Sequence, residues 1–392
     1  MLQRLITGAT GLVGRHLLFE SLKELLLEGR TLRIFVLLRG SATATAQVRL
    51  QTLLDGPRPD YLKPFSTEQL MRHVVCLSGS LNDANLVLQW AGHLDPTQEL
   101  TVLHSAGSVT LYSHEASEQE LYQTNYQGTF NLIHALNGFK FKFCFISTAF
   151  SAGIRTGLIA NELLETPRKH FRNPYERIKA KIENDLDTYC RSRNLELQIL
   201  RPSIICGRLI DPELYYTSKY DVIYGGAKFF WQVAKANPEA SIRLWARPDA
   251  GMNIIPVDYV AKGIIRASRQ DVKEVNLVHS RCVPHTVSIG TIMRESGFVN
   301  FELVPLMPQG LNKFEKLYYR VVHQALGPYI SCPAAEFDAS VLRSLLPEIP
   351  EPDVKGSFPA LIAHAVKNDF YDLQKIETAG KALAADAGSV PR

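Results

Sequence analysis

Short apolar runs alternate with amphipathic segments along the first 200 residues of the chain. The apolar runs predict strands at residues 5–6, 32–38, 74–77, 101–104, 141–146 and 195–200. The segments between them predict helices, the longest at residues 16–27, 118–136 and 173–192. Because parallel strands need crossover connections, this alternation predicts an α/β fold with a doubly wound parallel sheet of the Rossmann type.

The pattern changes after residue 208. Residues 208–252 are rich in aromatic side chains and predict an insertion on the substrate side of the core: Tyr215, Tyr216, Tyr220, Tyr224, Phe229, Phe230 and Trp231. Residues 275–278 predict one more strand, and residues 312–326 and 358–367 predict amphipathic helices. We therefore expect a nucleotide-binding core over residues 1–270, a smaller and mainly helical substrate subdomain over 271–372, and a flexible tail over 373–392.

A glycine-rich turn follows the first predicted strand and precedes the first helix. Its residues are Gly8, Ala9, Thr10, Gly11, Leu12, Val13 and Gly14. Glycines there permit a tight turn and a close approach of the backbone to a pyrophosphate, and the helix N-terminus supplies free N–H groups. The strand before the turn and the helix after it make a dinucleotide-binding site the better interpretation than a merely structural turn.

The end of the second predicted strand indicates which dinucleotide is bound. An NAD site commonly has an acidic residue about 20 residues beyond the glycines, for the ribose hydroxyls. This chain has Arg39 there, and a guanidinium can pair with a 2′-phosphate that a carboxylate would repel. The sequence therefore favours NADPH/NADP+. Arg15 is a second candidate for the phosphate, with a solvated arginine in the first turn as the alternative.

A candidate catalytic set follows the fifth predicted strand. Thr148 stands just after the strand, and Tyr175 and Lys179 follow at a spacing of four residues, which places them on one face of a helix. An ammonium near a phenol would lower the pKa of the phenol, so that it could exchange a proton near neutral pH. A Tyr–Lys pair alone is weak evidence, but together with the glycine turn it favours a catalytic site.

At this point the sequence resembles the extended short-chain dehydrogenases/reductases. Other matching stretches are residues 125–129, Arg201-Pro202-Ser203 with Gly207, and residues 256–261, which extend the likeness to about residue 270. Within the family, residues 147–149 and 256–258 look most like the branch of thioester reductases and fatty acyl-CoA reductases. In that branch, acyl groups bound to CoA or to a carrier protein are reduced.

The resemblance implies roles for individual residues. Thr148 would hydrogen-bond the substrate carbonyl, Tyr175 would donate the proton, and Lys179 would hold the nicotinamide ribose. The remaining cofactor contacts would come from Ser80, Leu81, Ser105, Ala106, Gly107, Asn125, Pro202 and Ser203. Ser80 departs from the family, since many members have an aspartate there for the adenine. For Asp258, we expect a helix cap before Tyr259.

Composition excludes several other classes of protein. The net charge of +4 is too small to suggest a nucleic-acid partner. The six cysteines and eleven histidines have no metal-binding spacing, so no metal is expected, and the cysteines are interpreted as reduced thiols. Since neither a secretory leader nor a membrane-spanning apolar stretch is present, a cytoplasmic enzyme is the simplest expectation.

Three functions remain open. The first is an NADPH-dependent reductase that converts an acyl thioester to an aldehyde or alcohol. The second is a ketone/hydroxyl dehydrogenase, or a sugar-nucleotide epimerase or dehydratase. The third, a non-catalytic NADP-binding protein, has no need of Tyr175 and Lys179 together. Two substrate contacts are considered: the aromatic segment as an acyl tunnel or as ordinary core, and the basic run 168–172 as a site for a carrier or CoA phosphate or as a solvated loop.

Overall fold

A computed structural model describes residues 2–83, 90, 93–165, 170–333 and 335–371. The predicted tail over 373–392 and Arg168 and Lys169 of the basic run lie outside the described residues. The strands are β1 (Leu2–Thr7), β2 (Leu32–Leu38), β3 (Val74–Ser78), β4 (Leu100–His104), β5 (Phe141–Ile146), β6 (Leu158–Ile159), β7 (Glu196–Pro202), β8 (Ile204–Cys206), β9 (Ser241–Trp245), β10 (Gly251–Met252), β11 (Ile254–Pro256), β12 (Glu274–Leu277), β13 (Val283–Pro284), β14 (Asn300–Val304) and β15 (Glu336–Phe337).

The α-helices connect these strands. They are α1 (Leu12–Leu26), α2 (Ala46–Asp55), α3 (Thr67–Met71), α4 (Glu115–Leu121), α5 (Gly128–Ala135), α6 (Pro174–Arg193), α7 (Ile223–Ala236), α8 (Val257–Ala267), α9 (His285–Glu295), α10 (Lys313–Val321), α11 (His323–Ile330), α12 (Ser340–Leu345) and α13 (Val354–Lys367). Short 3₁₀ turns lie at Asp60–Leu62 and Ala149–Ala152, and a π-helical turn at Tyr122–Gln127 joins α4 to α5.

Seven parallel strands form the central sheet, in the order β12-β7-β5-β4-β1-β2-β3. The order reverses direction at β1, as in a doubly wound fold, so the predicted Rossmann-type architecture is confirmed. The edge strand β12 pairs in parallel with β7, from Glu274 to Leu277. The strand predicted at residues 275–278 is therefore part of the core sheet, although it follows residue 270 in the chain.

Helices cover both faces of this sheet and bury its apolar side chains. On one face α1 and α8 pack through residues such as Leu18 and Ile264. On the other face α5 and α6 pack through Leu132 and Ile182. Strands that are covered on both sides need nearly continuous apolar sequences, which is why these runs could be recognised before the fold was known.

A second layer lies beyond the carboxyl ends of the strands. In it β9 pairs with β14, and α7, α9, α10 and α13 enclose a separate apolar cluster that includes Phe230, Tyr318 and Phe358. The helix predicted at 312–326 is two helices, because α10 ends at Val321 and α11 begins at His323. The layer contains strands as well as helices, and it provides one wall of the cavity described below.

Asp258 joins the two layers. Its carboxylate accepts hydrogen bonds from the backbone N–H groups of Ile210 (2.7 Å), Asp211 (2.9 Å) and Leu209 (3.1 Å). It also accepts one from the N–H of Tyr259 at 3.0 Å, but the N-cap position of α8 belongs to Pro256. The expectation that Asp258 is a helix cap was therefore incomplete: its main contacts hold the start of the 208–252 segment against the core.

In the part of the chain that the structure describes, helices that combine the length and the apolar character needed to cross a membrane are absent.

Candidate active site

The glycine turn between β1 and α1 is shaped by two close backbone contacts. Gly8 has φ +72°, and a Cβ there would lie 2.6 Å from the backbone nitrogen of Ala106. A Cβ on Gly14 would lie 2.2 Å from the carbonyl oxygen of Gly8. Helix α1 begins with Gly11 as its N-cap and has no acidic residue in its first turn. The N-terminus of α1 therefore carries no acidic side chain, which suits a bound phosphate.

A buried histidine connects this turn to the neighbouring strand and helix. His104 contacts the hydroxyl groups of Thr7 at 2.7 Å and Thr129 at 2.9 Å. Thr7 also accepts a hydrogen bond from the backbone N–H of Ala106, and Thr129 donates one to the carbonyl of Asn125. Burial lowers the pKa of His104 to about 3, so it stays neutral and can serve as both donor and acceptor.

Thr148 and Tyr175 come from two different elements. Thr148 follows β5 and caps the 3₁₀ turn after it, where its hydroxyl accepts a hydrogen bond from the N–H of Phe150 at 3.3 Å. Tyr175 lies in the first turn of α6, which begins after Asn173 because the Asn173 side chain accepts a hydrogen bond from the N–H of Glu176 at 3.0 Å. Both side chains line the same cavity.

Lys179 lies one turn further along α6 and points toward β5. Its ammonium donates to the carbonyl oxygen of Ile146 at 2.9 Å, and burial lowers its pKa to about 8, with Glu183 acting in the opposite direction. The pKa of Tyr175 is raised, first by burial and then by Glu176. The net shift of the Tyr175 pKa is therefore opposite to the lowering that the sequence predicted from Lys179.

A buried ion pair between Arg201 and Glu183 lies next to these residues, and the sequence analysis did not predict it. Arg201 of β7 donates from Nη2 to Glu183 of α6 at 2.7 Å, and both side chains are 1% exposed. Glu183 also accepts a hydrogen bond from Ser147, the residue before Thr148. A single carboxylate thus connects the helix of Tyr175 and Lys179 to the ends of β5 and β7.

An apolar cavity of about 270 Å³ is lined by two of the three predicted catalytic residues, Thr148 and Tyr175. Thr148, Tyr175, Gly11, Pro202 and Ser203 line it from the core. The second layer contributes mainly apolar side chains from α7, α9, α10 and α11. The cavity therefore joins the predicted cofactor and catalytic residues to a space that suits a hydrocarbon group.

The aromatic side chains of the 208–252 segment contribute little to this cavity, although other residues of the segment, such as Asp221 and Ile223, line it. Of its seven aromatic residues, Phe230 is the one among the lining residues. Tyr220 and Tyr224 pack edge to face with centroids 5.5 Å apart, and Trp231 packs on Phe370. The wall is completed instead by Tyr329 of α11, whose hydroxyl accepts a hydrogen bond from Asn173 at 2.8 Å. The sequence analysis did not identify Tyr329.

Arginines lie at the end of β2 and at the start of α1. Arg39 is exposed, and its carbonyl oxygen accepts a hydrogen bond from Nη1 of Arg49 in α2 at 2.7 Å. Arg49 therefore reaches the same corner of the sheet and is a second cation that the sequence analysis missed. Arg15 is 5% exposed and reaches the hydroxyl of Tyr216 at 3.4 Å, so the alternative of a solvated arginine was wrong.

The other predicted cofactor residues are distributed along the carboxyl edge of the sheet. Ser105 and Gly107 follow β4 and line the cavity with Leu12 and Val13. Asn125 is held in the π-helical turn, where it exchanges two hydrogen bonds with the backbone of Ser108. Ser80 and Leu81 follow β3, and the carbonyl of Leu81 accepts a hydrogen bond from Asn131 at 2.8 Å.

The structure also places two buried cysteines and Arg172 of the basic run. Burial raises the pKa of Cys144 to about 12 and that of Cys206 well above its ordinary value, which does not suit a nucleophile. The side chain of Arg172 in the basic run is 6% exposed. It pairs with Glu176 at 3.4 Å, donates to the carbonyl of Gly153 at 2.8 Å and stacks over the ring of Tyr329. Arg172 is therefore not positioned to meet a carrier or CoA phosphate.

Comparison with known proteins identifies the family. Residues 6–264 match the model of the Male sterility protein family, which is a family of NAD-binding domains. The chain belongs to this family. It is accordingly an NAD(P)-dependent oxidoreductase of the extended short-chain dehydrogenase/reductase type, as the resemblance in the sequence implied.

Individual proteins show more limited similarity. Over 149 residues the chain is 32% identical to isonitrile lipopeptide synthase of Mycobacterium tuberculosis (strain ATCC 25618 / H37Rv), a match that covers 37% of this chain and 6% of that protein. The chain thus spans a small fraction of the length of this relative.

Solved structures show the same fold. A thiolation-reductase di-domain from an archaeal non-ribosomal peptide synthetase has a TM-score of 0.66 at 17% identity, and the match covers 94% of this chain and 76% of that one. The terminal R domain from the myxalamid PKS-NRPS pathway has a TM-score of 0.66 at 16% identity, with 95% and 92% covered. UDP-glucuronic acid 4-epimerase from Bacillus cereus has a TM-score of 0.61 at 16% identity, with 93% and 99% covered.

Proposed function

We propose that the protein reduces an acyl thioester, carried on CoA or on a carrier protein, to an aldehyde or alcohol with NADPH. The observation that carries this proposal is the apolar cavity that Thr148 and Tyr175 share with side chains of the second layer. An apolar space beside two hydroxyl donors suits the carbonyl of an acyl chain better than a sugar nucleotide, whose many hydroxyls need polar partners. The reductase domains among the similar structures agree with the proposal.

The cofactor would lie along the carboxyl edge of the sheet. The turn formed by Gly8, Gly11 and Gly14 would hold the pyrophosphate at the N-terminus of α1. Arg39, with Arg49 beside it, supports NADPH rather than NADH, because residues 39–45 contain no carboxylate that would repel a 2′-phosphate. Ser105, Ala106 and Gly107 would line the path from the diphosphate to the ribose, and Pro202 and Ser203 would border the nicotinamide. Asn125 would hold the backbone near the site through Ser108.

The chemistry needs a hydride, a proton and a place for negative charge. When bound, NADPH supplies the hydride to the thioester carbon. Thr148 donates a hydrogen bond to the carbonyl oxygen, and the Tyr175 phenol transfers its proton to that oxygen as charge develops there. The C–S bond of the hemithioacetal then breaks as its hydroxyl proton passes to the sulfur, which leaves the free thiol and an aldehyde. Reduction onward to the alcohol would take a second hydride from a second NADPH. Lys179 supplies a positive charge near the site and restrains the end of β5 through Ile146.

The proposal is tested by NADPH oxidation with acyl-CoAs, acyl-carrier conjugates, ketones and UDP-sugars as separate substrates. We expect oxidation with the thioesters and a much slower reaction with NADH. One free thiol should be released for each NADPH oxidised if the product is the aldehyde, and one for every two if it is the alcohol. In the Tyr175→Phe variant we expect kcat to fall by about 10²–10³, the order seen when one oxyanion donor is lost. Oxidation with ketones alone would refute the thioester substrate, and full activity of Tyr175→Phe would refute the catalytic role.

A further inference from the structure

Tyr329 links the second layer to the helix that carries Tyr175. It lies on α11 and lines the same cavity as Tyr175. Its hydroxyl accepts a hydrogen bond from the side chain of Asn173 at 2.8 Å and donates one to the carboxylate of Glu176. Asn173 and Glu176 stand on either side of Tyr175 along the chain. A single hydroxyl is therefore hydrogen-bonded to two residues that flank the proposed proton donor.

The two residues that Tyr329 contacts also shape the first turn of α6. The Asn173 side chain caps the helix by accepting a hydrogen bond from the N–H of Glu176 at 3.0 Å. The Glu176 carboxylate reaches back and accepts one from the N–H of Arg172 at 3.0 Å. This reciprocal pattern resembles a capping box and fixes where the chain enters the helix. Because Tyr175 lies inside that turn, a contact that holds both residues also restrains the backbone of Tyr175.

Glu176 is a buried carboxylate next to the proposed proton donor. Its side chain is 0% exposed. Burial raises its pKa, and the charge of Arg172 and the hydrogen bond from Tyr329 oppose that rise. The negative charge of Glu176 also contributes to the raised pKa of Tyr175. The position of Glu176 therefore affects both the geometry and the electrostatic field at the Tyr175 phenol.

The ring of Tyr329 packs against the other proposed catalytic element. It meets Phe150 edge to face, with ring centroids 5.2 Å apart. Phe150 belongs to the 3₁₀ turn that Thr148 caps, and its N–H donates to the Thr148 hydroxyl at 3.3 Å. The ring thus contacts the turn next to Thr148, and the hydroxyl contacts the turn that carries Tyr175. Phenylalanine at position 329 would keep the first contact and remove the second.

We propose that Tyr329 is a positioning residue, whose hydroxyl holds the first turn of α6 so that the Tyr175 phenol meets the carbonyl oxygen of the substrate. This inference rests on the proposed role of Tyr175 as proton donor, which is the same for a thioester and for an aldehyde. Tyr329 acts through Asn173 and Glu176 and transfers no proton itself. A displacement of about 1 Å in a reacting group can lower a rate by about a hundredfold, so a lost restraint is measurable.

The test compares Tyr329→Phe with Tyr319→Phe as the matched control. Tyr319 is a buried tyrosine of the second layer, and its hydroxyl donates to the carbonyl of Arg243 at 2.9 Å and accepts from the N–H of Trp245 at 3.0 Å. Each variant loses one hydroxyl and two hydrogen bonds, but those of Tyr319 go to β9 and not to α6.

For both variants, kcat and KM for NADPH oxidation are measured with octanoyl-CoA and with octanal. In Tyr329→Phe we expect kcat to fall by about tenfold to a hundredfold on both substrates, with KM within about twofold of the wild type, because the restraint matters in the transition state. Tyr319→Phe should keep the wild-type kcat. An unchanged kcat in Tyr329→Phe, or an equal fall in both variants, would overturn the proposal.

Asn173→Ser shows whether Tyr329 acts through α6. Serine can still cap the helix, but it lacks the amide that donates to the Tyr329 hydroxyl. In the double variant with Tyr329→Phe, we expect the loss of kcat to be smaller than the product of the two single losses, since both substitutions remove the same contact. Losses that multiply would mean that Tyr329 acts elsewhere.

Hydrogen exchange separates this inference from the proposed reaction. Exchange of the backbone amides of residues 174–180 is followed by mass spectrometry without substrate. We expect it to be faster by about fivefold in Tyr329→Phe, the order expected for a weakened helix cap, and unchanged in Tyr319→Phe. If the wild type reduces octanal but not octanoyl-CoA, the thioester reaction fails while Tyr329 is still tested on octanal. If it reduces neither, unchanged exchange in Tyr329→Phe would refute the hold on α6, and faster exchange would support it.

Discussion

Lys179 is a buried cation, and burial makes its ammonium group easier to deprotonate. Its ammonium donates to the Ile146 carbonyl, and desolvation lowers its pKa from 10.5 to about 8. A lysine in this state changes charge within the pH range of ordinary assays. Since the proposed role of Lys179 depends on its positive charge, the rate of reduction should depend on pH in the same range.

We expect kcat/KM to fall by about tenfold per pH unit above pH 8, as Lys179 loses its proton. In Lys179→Arg the charge persists to much higher pH, so this alkaline decline should disappear even if the absolute rate is lower. A pH–rate profile of both proteins, recorded at saturating NADPH, provides the measurement. The same decline in Lys179→Arg would assign it to another group.

Unfolding would not account for the decline. Because the pKa of Lys179 is lowered in the folded state, the unfolded chain binds its proton more tightly between pH 8 and 10.5. The contribution of Lys179 to the free energy of unfolding therefore increases with pH across that window. Between pH 8 and 10.5, activity should therefore fall while the contribution of Lys179 to the free energy of unfolding does not fall.

Individual site residues differ in how well a sequence reveals them. Tyr175 and Lys179 could be predicted because a helix fixes their relation at a spacing of four residues. Glu183 stands at the same spacing from Lys179, but its role depends on Arg201 and Ser147, which approach it only in the folded sheet. Tyr329 comes from a helix far along the chain, and no local pattern connects it with α6.

At the scale of elements, three chain segments meet at one carboxylate. Glu183 of α6 accepts hydrogen bonds from Arg201 at the end of β7 and from Ser147 at the end of β5. Arg201 also donates to the carbonyl of Glu162 at 2.7 Å, in the segment that follows β6. The residues next to these contacts are the proposed catalytic and cofactor residues, so we interpret Glu183 as a positioning residue.

Replacing Glu183 by glutamine should therefore displace the neighbouring proposed catalytic residues and remove a buried negative charge. We expect kcat/KM to fall by about tenfold to a hundredfold, as small displacements of reacting groups do, and the free energy of unfolding to fall by about 3 kcal/mol because Arg201 keeps a buried charge. Glu183 also raises the pKa of Lys179, so the alkaline decline should move to lower pH in Glu183→Gln. A merely structural glutamate would leave that decline in place.

Glu118→Gln is the matched control for Glu183→Gln. Glu118 pairs with Arg177 of the same helix α6, but that pair is partly exposed. Exposed ion pairs contribute about 0–1 kcal/mol, so the pH–rate profile and the unfolding midpoint should barely change. Equal effects of the two substitutions would contradict the special role of Glu183.

The elements themselves were predictable to different degrees. The sheet strands are buried on both faces and appear in the sequence as continuous apolar runs. The π-helical turn at Tyr122–Gln127 was predicted as ordinary helix, because one extra residue in a turn barely alters the apolar periodicity. The end of α10 at Val321 was missed for a related reason, since neither proline nor glycine marks it.

At the scale of the whole molecule, the core and the second layer are interleaved along the chain. The chain leaves the core sheet after β7, builds α7 and β9, and returns to form α8 and then β12 at the edge of the sheet. Lys262 of α8 pairs with Asp211 at 2.8 Å and with Glu20 of α1 at 2.7 Å. Charges that lie this far apart in sequence have no signature in any local pattern, so these contacts could not be predicted from the sequence.

Asp258 offers a test of how far the two layers depend on each other. Its buried carboxylate accepts hydrogen bonds from three consecutive backbone N–H groups at residues 209–211, where the chain enters the second layer. In Asp258→Ala these groups lose their partner, and we expect the free energy of unfolding to fall by about 3 kcal/mol, since each unsatisfied buried group costs roughly 1–3 kcal/mol. Asp353→Ala is the control. Asp353 caps α13 through the single N–H of Gly356, so its loss should lower the free energy of unfolding by about 1 kcal/mol.

Urea unfolding followed by both fluorescence and circular dichroism gives the measurement. If the junction at Asp258 makes the layers one cooperative unit, the two signals should coincide in the wild type and separate in Asp258→Ala, and a coincident, undiminished transition in that variant would show that the layers are joined elsewhere.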